Sequence, residues 1–228
     1  MYHVKIDRMK AIVDKNETLR YLGYKGGHIP GDVNRMISEC IAEIEETAYI
    51  RYVYRVFATD ETPLAGEDIA KHLEGCRECV IMAATLGMEA DNLVRKTQAL
   101  DMARAVILDA CGSSAIENAC DRIEEMLRRE WEEKGMYVTG RFSPGYGDMP
   151  MSQQKELCNL LDAQRKAGIY ITSGNAMIPV KSVTAVMGIS DKNVNNIKIK
   201  TNCGLCGLAE SCNFRKEGAR CEKSNCSR

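Results

Sequence analysis

The stretch ARAVILDACGSSAIENACDRIEEMLRREW, residues 103–131, decides the fold. Its apolar residues recur at helical spacing, and charged residues become dense after Asp121. The apolar stripe consists of Ile107, Ala110, Cys111, Ile116, Ala119, Cys120, Ile123, Leu127 and Trp131. We therefore expect one long amphipathic helix, with a bend at Gly112 because glycine is a poor helix former.

Helices and strands alternate before this helix. Residues 33–44 place apolar side chains at helical spacing, with Asp32 as the expected cap. Residues 50–58 alternate apolar side chains with arginines, which predicts a half-buried strand, and the apolar run 79–86 predicts a buried strand. Shorter helices are predicted at residues 67–73 and 89–99.

The chain after the long helix alternates in the same way. We expect a short strand at 137–139, a loop rich in proline and glycine at 141–150, a helix near 157–161, and strands at 169–172 and 183–189. This layout predicts an α+β fold class, with a domain boundary near residue 200.

Composition excludes several classes of protein. The 228 residues are 45% hydrophobic, which is enough for a proper core. The 31 Lys+Arg and 32 Asp+Glu give a net charge of −1 without long blocks of one sign, so no nucleic-acid partner is indicated. No run approaches the roughly 18 apolar residues of a membrane span, and residues 1–10 lack the apolar core of a signal peptide, so we expect a cytoplasmic protein.

Eleven cysteines in a cytosolic chain indicate buried thiols and a metal site rather than disulfides. The Cys76-x-x-Cys79 pair leads straight into an apolar strand, with no second pair nearby. We expect packing roles for six cysteines: Cys40, Cys76, Cys79, Cys111, Cys120 and Cys158.

The remaining cysteines crowd the tail, residues 201–228, which has too few large apolar residues to form a core. The candidate metal ligands are Cys203, Cys206, Cys212 and Cys221, with Cys226 as a fifth thiol of unassigned role. Four thiolates suit an iron-sulfur cluster of the 4Fe-4S type or a structural zinc. Eight residues separate Cys212 from Cys221, which is wider than the two-residue spacing usual in zinc ribbons and favours the cluster. The alternative is a metal that only folds the tail.

The loop Arg141-Phe142-Ser143-Pro144-Gly145-Tyr146 places an arginine before a Pro-Gly turn and an aromatic ring after it. It is followed in order by the segments 160–162, 171–172, 176–179 and 182–183. In that order and spacing, about residues 10–190 resemble the activation domain of vitamin B12 (cobalamin)-dependent methionine synthase, which binds S-adenosylmethionine. Residues 20–24 and 83–87 resemble its free-standing, single-domain members.

The resemblance implies a fold and a domain organisation. It predicts mixed helices with a twisted antiparallel sheet in an activation-like domain at residues 1–200. The cysteine spacing adds a Cys-rich metal-binding tail at 201–228. Methionine synthases ligate cobalt through an Asp-x-His-x-x-Gly pattern, which the histidines His3, His28 and His72 do not match. We therefore expect a partner protein to carry the cobalamin.

The resemblance also implies the ligand-binding residues. Arg141 offers a planar, two-pronged donor suited to the ligand's carboxylate, and Glu117 is the implied partner of its ammonium group. Ser143, Gly145 and Tyr146 are implied to line the same site. The alternatives are that Arg141 pairs with a surface carboxylate and that Glu117 is a solvated helix residue.

Two further positions follow from the resemblance. Asp14 corresponds to an acidic residue near the start of the family's domain, and Met187 stands where the family has a tyrosine. The loss of that hydroxyl affects the expected pose or affinity of the ligand. No nucleophile elbow, P-loop or His-Glu-x-x-His helix is present in the sequence, so we assign no catalytic residue.

The expected function is that of an S-adenosylmethionine-binding reactivation module, which supports reductive methylation of cob(II)alamin on a cobalamin-dependent methionine synthase or a related corrinoid protein. Such a module is a component of methionine synthase activity rather than a self-contained enzyme. The reaction needs an electron, which a tail cluster or a flavodoxin- or ferredoxin-like donor would supply. The alternatives are an iron-sulfur redox activator of another corrinoid protein and a non-catalytic docking module with structural zinc.

Overall fold

The computed structural model describes residues 5–24 and 28–192. Its strands are β1 (Lys5–Lys10), β2 (Tyr49–Ala58), β3 (Glu78–Thr85), β4 (Tyr137–Val138), β5 (Tyr170–Ile171), β6 (Met177–Ile178) and β7 (Ser182–Ser190). Its helices are α1 (Lys15–Tyr21), α2 (Gly31–Thr47), α3 (Glu67–His72), α4 (Met88–Gln98), α5 (Met102–Glu132), α6 (Gln153–Leu161) and α7 (Ala163–Ala167).

Five strands form an antiparallel sheet in the order β1-β2-β3-β7-β4, and β5 and β6 form a separate hairpin. The central strand β3 pairs with β2 on one side and β7 on the other. Its side chains enter two different cores: Val80 and Met82 lie on one face of the sheet, and Ile81 and Ala83 lie on the other. Burial on both faces explains why the sequence of β3 is a continuous apolar run.

Helix α5 covers one face of the sheet together with α1, α2 and α4, and the smaller helices α3, α6 and α7 cover the other. Ile116, Ile123 and Leu127 of α5 are at most 4% exposed. The apolar stripe of α5 is therefore part of the side that faces the core, and the charged residues of the helix lie on the opposite side.

The α+β class, the antiparallel sheet and the long helix are confirmed. Helix α5 is continuous through Gly112, where the missing side chain admits Leu86 and Lys181 within about 3.5 Å of the Cβ position. The prediction that Asp32 caps α2 is wrong, because the helix begins one residue earlier at Gly31 and its cap position is Pro30.

The six cysteines that we expected to pack are buried free thiols. Burial raises the pKa of Cys111 and of Cys120 to about 12, so both stay protonated at neutral pH. The tail cysteines Cys203, Cys206, Cys212 and Cys221, and the boundary near residue 200, lie outside the described residues. Within the described part of the chain, no helix combines the length and the apolar character that crossing a membrane requires.

The close packing of β7 against the turn after α3 gives a test of the fold. A Cβ atom on Gly188 would lie 2.5 Å from Cys76 Sγ and 3.0 Å from Leu73 Cδ2. Gly188→Ala should therefore lower the free energy of unfolding by about 1–3 kcal/mol, measured by urea denaturation. Gly31→Ala is the matched control, since nothing lies within 4 Å of its Cβ position. Equal stability of the two variants would contradict this packing.

Candidate ligand-binding site

The loop at residues 141–150 starts from the sheet. Phe142 forms a bridge to β7, in which its N–H donates to Val186 O at 2.9 Å and the Val186 N–H donates back at 2.8 Å. This bridge fixes the backbone next to Arg141, the first residue of the loop. The position of the arginine is therefore set by the sheet rather than by the loop alone.

The loop then folds on itself through backbone hydrogen bonds. The N–H of Gly145 donates to Met149 O at 2.8 Å, and the N–H of Tyr146 donates to Ser143 O at 3.0 Å. Gly145 has a φ of +92°, and a Cβ there would lie 2.6 Å from Met151 Sδ. Glycine is favoured at this position because its backbone is in the left-handed region, and Met151 lies where a side chain would begin.

Helix α3 holds the far end of the loop. Its cap residue, Gly66, has no side chain to cap the helix, and Asp148 of the loop supplies the missing carboxylate. Asp148 Oδ1 accepts from the Asp68 N–H at 3.0 Å and Oδ2 from the Glu67 N–H at 2.6 Å. These two bonds lower the pKa of Asp148, so the cap is ionised at neutral pH.

The other end of α3 holds the start of the loop. His72 is buried, and its Nε2 donates to Gly140 O at 2.8 Å and lies 2.9 Å from Thr139 Oγ1. Its ring also packs on Phe142, with 5.2 Å between ring centroids. One short helix therefore contacts the backbone just before Arg141 and the carboxylate of Asp148. We name this arrangement the α3 clamp.

The His72 side chain makes the α3 clamp sensitive to acid. Burial lowers the pKa of His72, and the hydrogen bond to Gly140 and the charge of Glu124 oppose this shift without reversing it. Nδ1 is buried and has no hydrogen-bond partner among the described residues, so a proton added there would be poorly solvated.

We predict that the protein loses stability as the pH falls below 6.5, the ordinary pKa of histidine. The unfolded chain then binds a proton that native His72 excludes, at a cost of at most about 1.4 kcal/mol per pH unit. Urea unfolding between pH 7.5 and 5.5 should show this loss reduced in His72→Gln. The exposed His28→Gln is the control and should behave like wild type. An unchanged pH dependence in His72→Gln would contradict the assignment.

A charged cluster lies beside the clamped loop. Arg141 Nη2 is 2.8 Å from Asp121 Oδ1 and 3.5 Å from Glu117 Oε2, and its Nε is 3.6 Å from Glu124 Oε2. Arg128 also binds Glu124, at 2.7 Å. Three carboxylates and two guanidinium groups therefore meet in this cluster.

The cluster is partly shielded from water. The side chains of Arg141 and Glu124 are 18% and 20% exposed, whereas those of Glu117 and Asp121 are 41% and 48% exposed. Tyr21 at the end of α1 lies near the cluster. Burial raises the pKa of its hydroxyl group, and the negative charge of Glu117 raises it further. The exposed carboxylates form the open side of the cluster.

The structure brings some of the expected ligand residues together. Glu117 and Arg141 form an ion pair, while Ser143, Gly145 and Tyr146 lie in the loop that follows the arginine. The ring of Tyr146 packs edge-on against Phe142 at 6.0 Å and is 44% exposed. The alternative role for Arg141, pairing with carboxylates of the protein, is present in this structure.

Two other expected residues have structural roles here. Asp14 caps α1, because its carboxylate accepts from the Asn16 and Glu17 N–H groups at 2.8 and 3.1 Å. Its backbone N–H and C=O both bond Ser114 Oγ, which ties α1 to α5. Met187 is fully buried in the core beneath α5, so a ligand on the loop surface does not contact it in this conformation.

Sequence reasoning missed four residues of this region: Asp121, Glu124, His72 and Asp148. The first two were detectable, since they follow Glu117 at intervals of four and three residues and therefore share a face of α5. His72 and Asp148 act through contacts between segments 68 and 81 residues apart, which no local pattern reveals.

The model of one protein family, the vitamin B12 dependent methionine synthase activation domain, matches residues 60–200. The chain belongs to this family. The matched range contains α3, α5 and the whole 141–150 loop, so the activation-domain model covers the clamp and the charged cluster together.

The activation-domain fold is also seen in a crystal structure of the MetH reactivation domain bound to AdoHcy. The two chains superpose with a TM-score of 0.62 at 16% sequence identity, over 81% of this chain and 78% of that one. At this identity the likeness establishes the shared fold. A comparison with curated protein sequences gives no match.

Proposed function

We propose that this activation domain binds S-adenosylmethionine and supports reductive methylation of cob(II)alamin on a cobalamin-dependent methionine synthase. Family membership supports the general role, and one observation carries the ligand assignment: Arg141 and Glu117 form an ion pair beside a loop whose conformation is already fixed. A site with a charged pair and preformed backbone suits a zwitterionic ligand, because little has to be ordered on binding.

The carboxylates of the cluster suit the charge of the ligand. S-adenosylmethionine carries a carboxylate, an ammonium and a sulfonium group, so its net charge is +1 at neutral pH. Three carboxylates lie in the cluster, which is partly shielded from water, and this shielding strengthens their attraction for a cation. The demethylated product lacks the sulfonium charge and should be attracted less.

Binding would proceed by exchange of ion pairs. The Arg141–Glu117 contact, at 3.5 Å, is longer than the Arg141–Asp121 contact at 2.8 Å. In our proposal the ligand's amino-acid end enters between Glu117 and Arg141, so that Arg141 binds its carboxylate and Glu117 its ammonium group. Asp121 keeps the guanidinium in place during this exchange.

The loop would hold the remainder of the ligand. Tyr146 presents a half-exposed aromatic face, which suits the sulfonium or the adenine ring, and the backbone at Ser143 and Gly145 lies beside it. The contribution of this chain to catalysis is then positioning, which requires no general base. Cobalamin, bound by the partner, would accept the methyl group once an electron donor has reduced it.

The ligand assignment predicts the effect of removing the arginine. Arg141→Ala should weaken S-adenosylmethionine binding at least tenfold, because each charge-assisted hydrogen bond contributes about 1.5–3 kcal/mol. Titration calorimetry measures this, with circular dichroism to check the fold. Arg129→Ala is the matched control, since Arg129 is 73% exposed and pairs with Glu125 on the outer side of α5. Unchanged affinity in Arg141→Ala would overturn the assignment.

A second pair of variants tests the charge argument separately. Asp121→Asn should weaken S-adenosylmethionine more than S-adenosylhomocysteine, since only the former carries the sulfonium charge. Arg129→Ala again serves as the control. Equal losses for both ligands would show that the carboxylate of Asp121 does not select the methyl donor.

We further propose, from the sequence, that Cys203, Cys206, Cys212 and Cys221 hold a 4Fe-4S cluster that serves the same reaction, with zinc as the alternative. The iron and zinc content of the anaerobically purified protein tests this. A brown, iron-containing protein that loses its iron in Cys206→Ala supports the cluster. A colourless, zinc-containing protein would favour the docking module instead.

A further inference from the structure

Two arginines oppose one another at the open edge of the sheet. Arg8 of β1 is paired directly with Arg51 of β2 in the antiparallel register. Side chains in such a pair point to the same face, with Cβ atoms about 4.5–5.5 Å apart, and like charges in this position destabilise a sheet. The position therefore favours a bound group of opposite charge.

A cavity of about 220 Å³ lies at this pair. It is lined by Arg8, Thr47, Tyr49, Arg51 and Glu89. It is smaller than the pockets of roughly 300–1,000 Å³ that hold drug-sized molecules. A small anionic group therefore fits the space better than a nucleotide.

The protein itself neutralises the two arginines only in part. Among the described residues, Arg8 has no ion pair, and its guanidinium lies over the Tyr49 ring at 5.3 Å. Arg51 Nη2 is 3.9 Å from Glu89 Oε2, which is too far for a hydrogen bond, and Arg51 Nε is buried without a partner. One carboxylate faces two guanidinium groups, so the cavity keeps a net positive charge.

Arg51 also lies close to the backbone that precedes α4. The Cβ that Gly87 lacks would lie 3.2 Å from Arg51 Nη2. The glycine therefore lets the guanidinium lie against the backbone at the start of α4.

We propose that this cavity binds a phosphoryl group, with Arg8 and Arg51 each donating to its oxygens. Phosphoryl oxygens match the fork geometry of two guanidinium groups, and the anion would relieve the repulsion between them. Thr47 and Tyr49 also line the cavity. The site is separate from the Arg141 cluster, and four of its five residues precede the part of the chain that the family model matches.

Calorimetric titration with inorganic phosphate, at an ionic strength fixed with sodium chloride, tests the proposal. The wild-type protein should bind phosphate, and Arg8→Gln should bind it at least tenfold more weakly. Glu89→Gln should bind it severalfold more tightly, because Glu89 competes for Arg51. Arg129→Gln, on the outer side of α5, should match wild type. The proposal would be overturned if the wild-type protein did not bind phosphate, or if Arg8→Gln bound it with unchanged affinity.

Thermal unfolding gives an independent readout. In chloride alone, Arg8→Gln should raise the midpoint, because it removes one of two opposed like charges. Phosphate should raise the wild-type midpoint above that in chloride of equal ionic strength, and Arg8→Gln should lose this increment. Equal midpoints in the two salts would contradict the proposal.

Tighter binding of ribose 5-phosphate than of free phosphate would identify a phosphomonoester as the ligand, and equal or weaker binding would identify the free ion.

Discussion

Burial of one face of α5 against the sheet is the constraint on which the other features depend. The helix buries Ile116, Ala119, Cys120, Ile123 and Leu127 in the core, so the charged residues between them lie on its outer side. Glu117, Asp121 and Glu124 then share a surface that faces Arg141. The charged cluster is a consequence of the same helical period that forms the core.

The loop that carries Arg141 gains its shape from long-range contacts. Its first residues bond to β7, and α3 holds both of its ends through His72 and Asp148. Such a loop needs little ordering when a ligand arrives. In the proposed function, this order and the carboxylates beside the loop would suit a cationic methyl donor.

The sequence predicts the long, periodic elements well and the short or exposed ones poorly. Helix α5 and strand β3 have strong patterns because each is buried against large surfaces. Strand β1 was not predicted, because it is an edge strand in which five of six residues are exposed. Buried and exposed positions therefore do not alternate along it. Arg141 and Glu117 were predicted as ligand-binding residues only through the family resemblance, and their ion pair with one another was not predicted. The α3 clamp depends on contacts that the sequence does not display.

A crystal structure of the protein with bound S-adenosylmethionine tests the central claim most directly. We expect the ligand's carboxylate within hydrogen-bonding distance of Arg141, its ammonium group beside Glu117, and a loop at residues 141–150 that keeps its present backbone. A ligand bound elsewhere, with the Arg141–Glu117 ion pair intact, would contradict it.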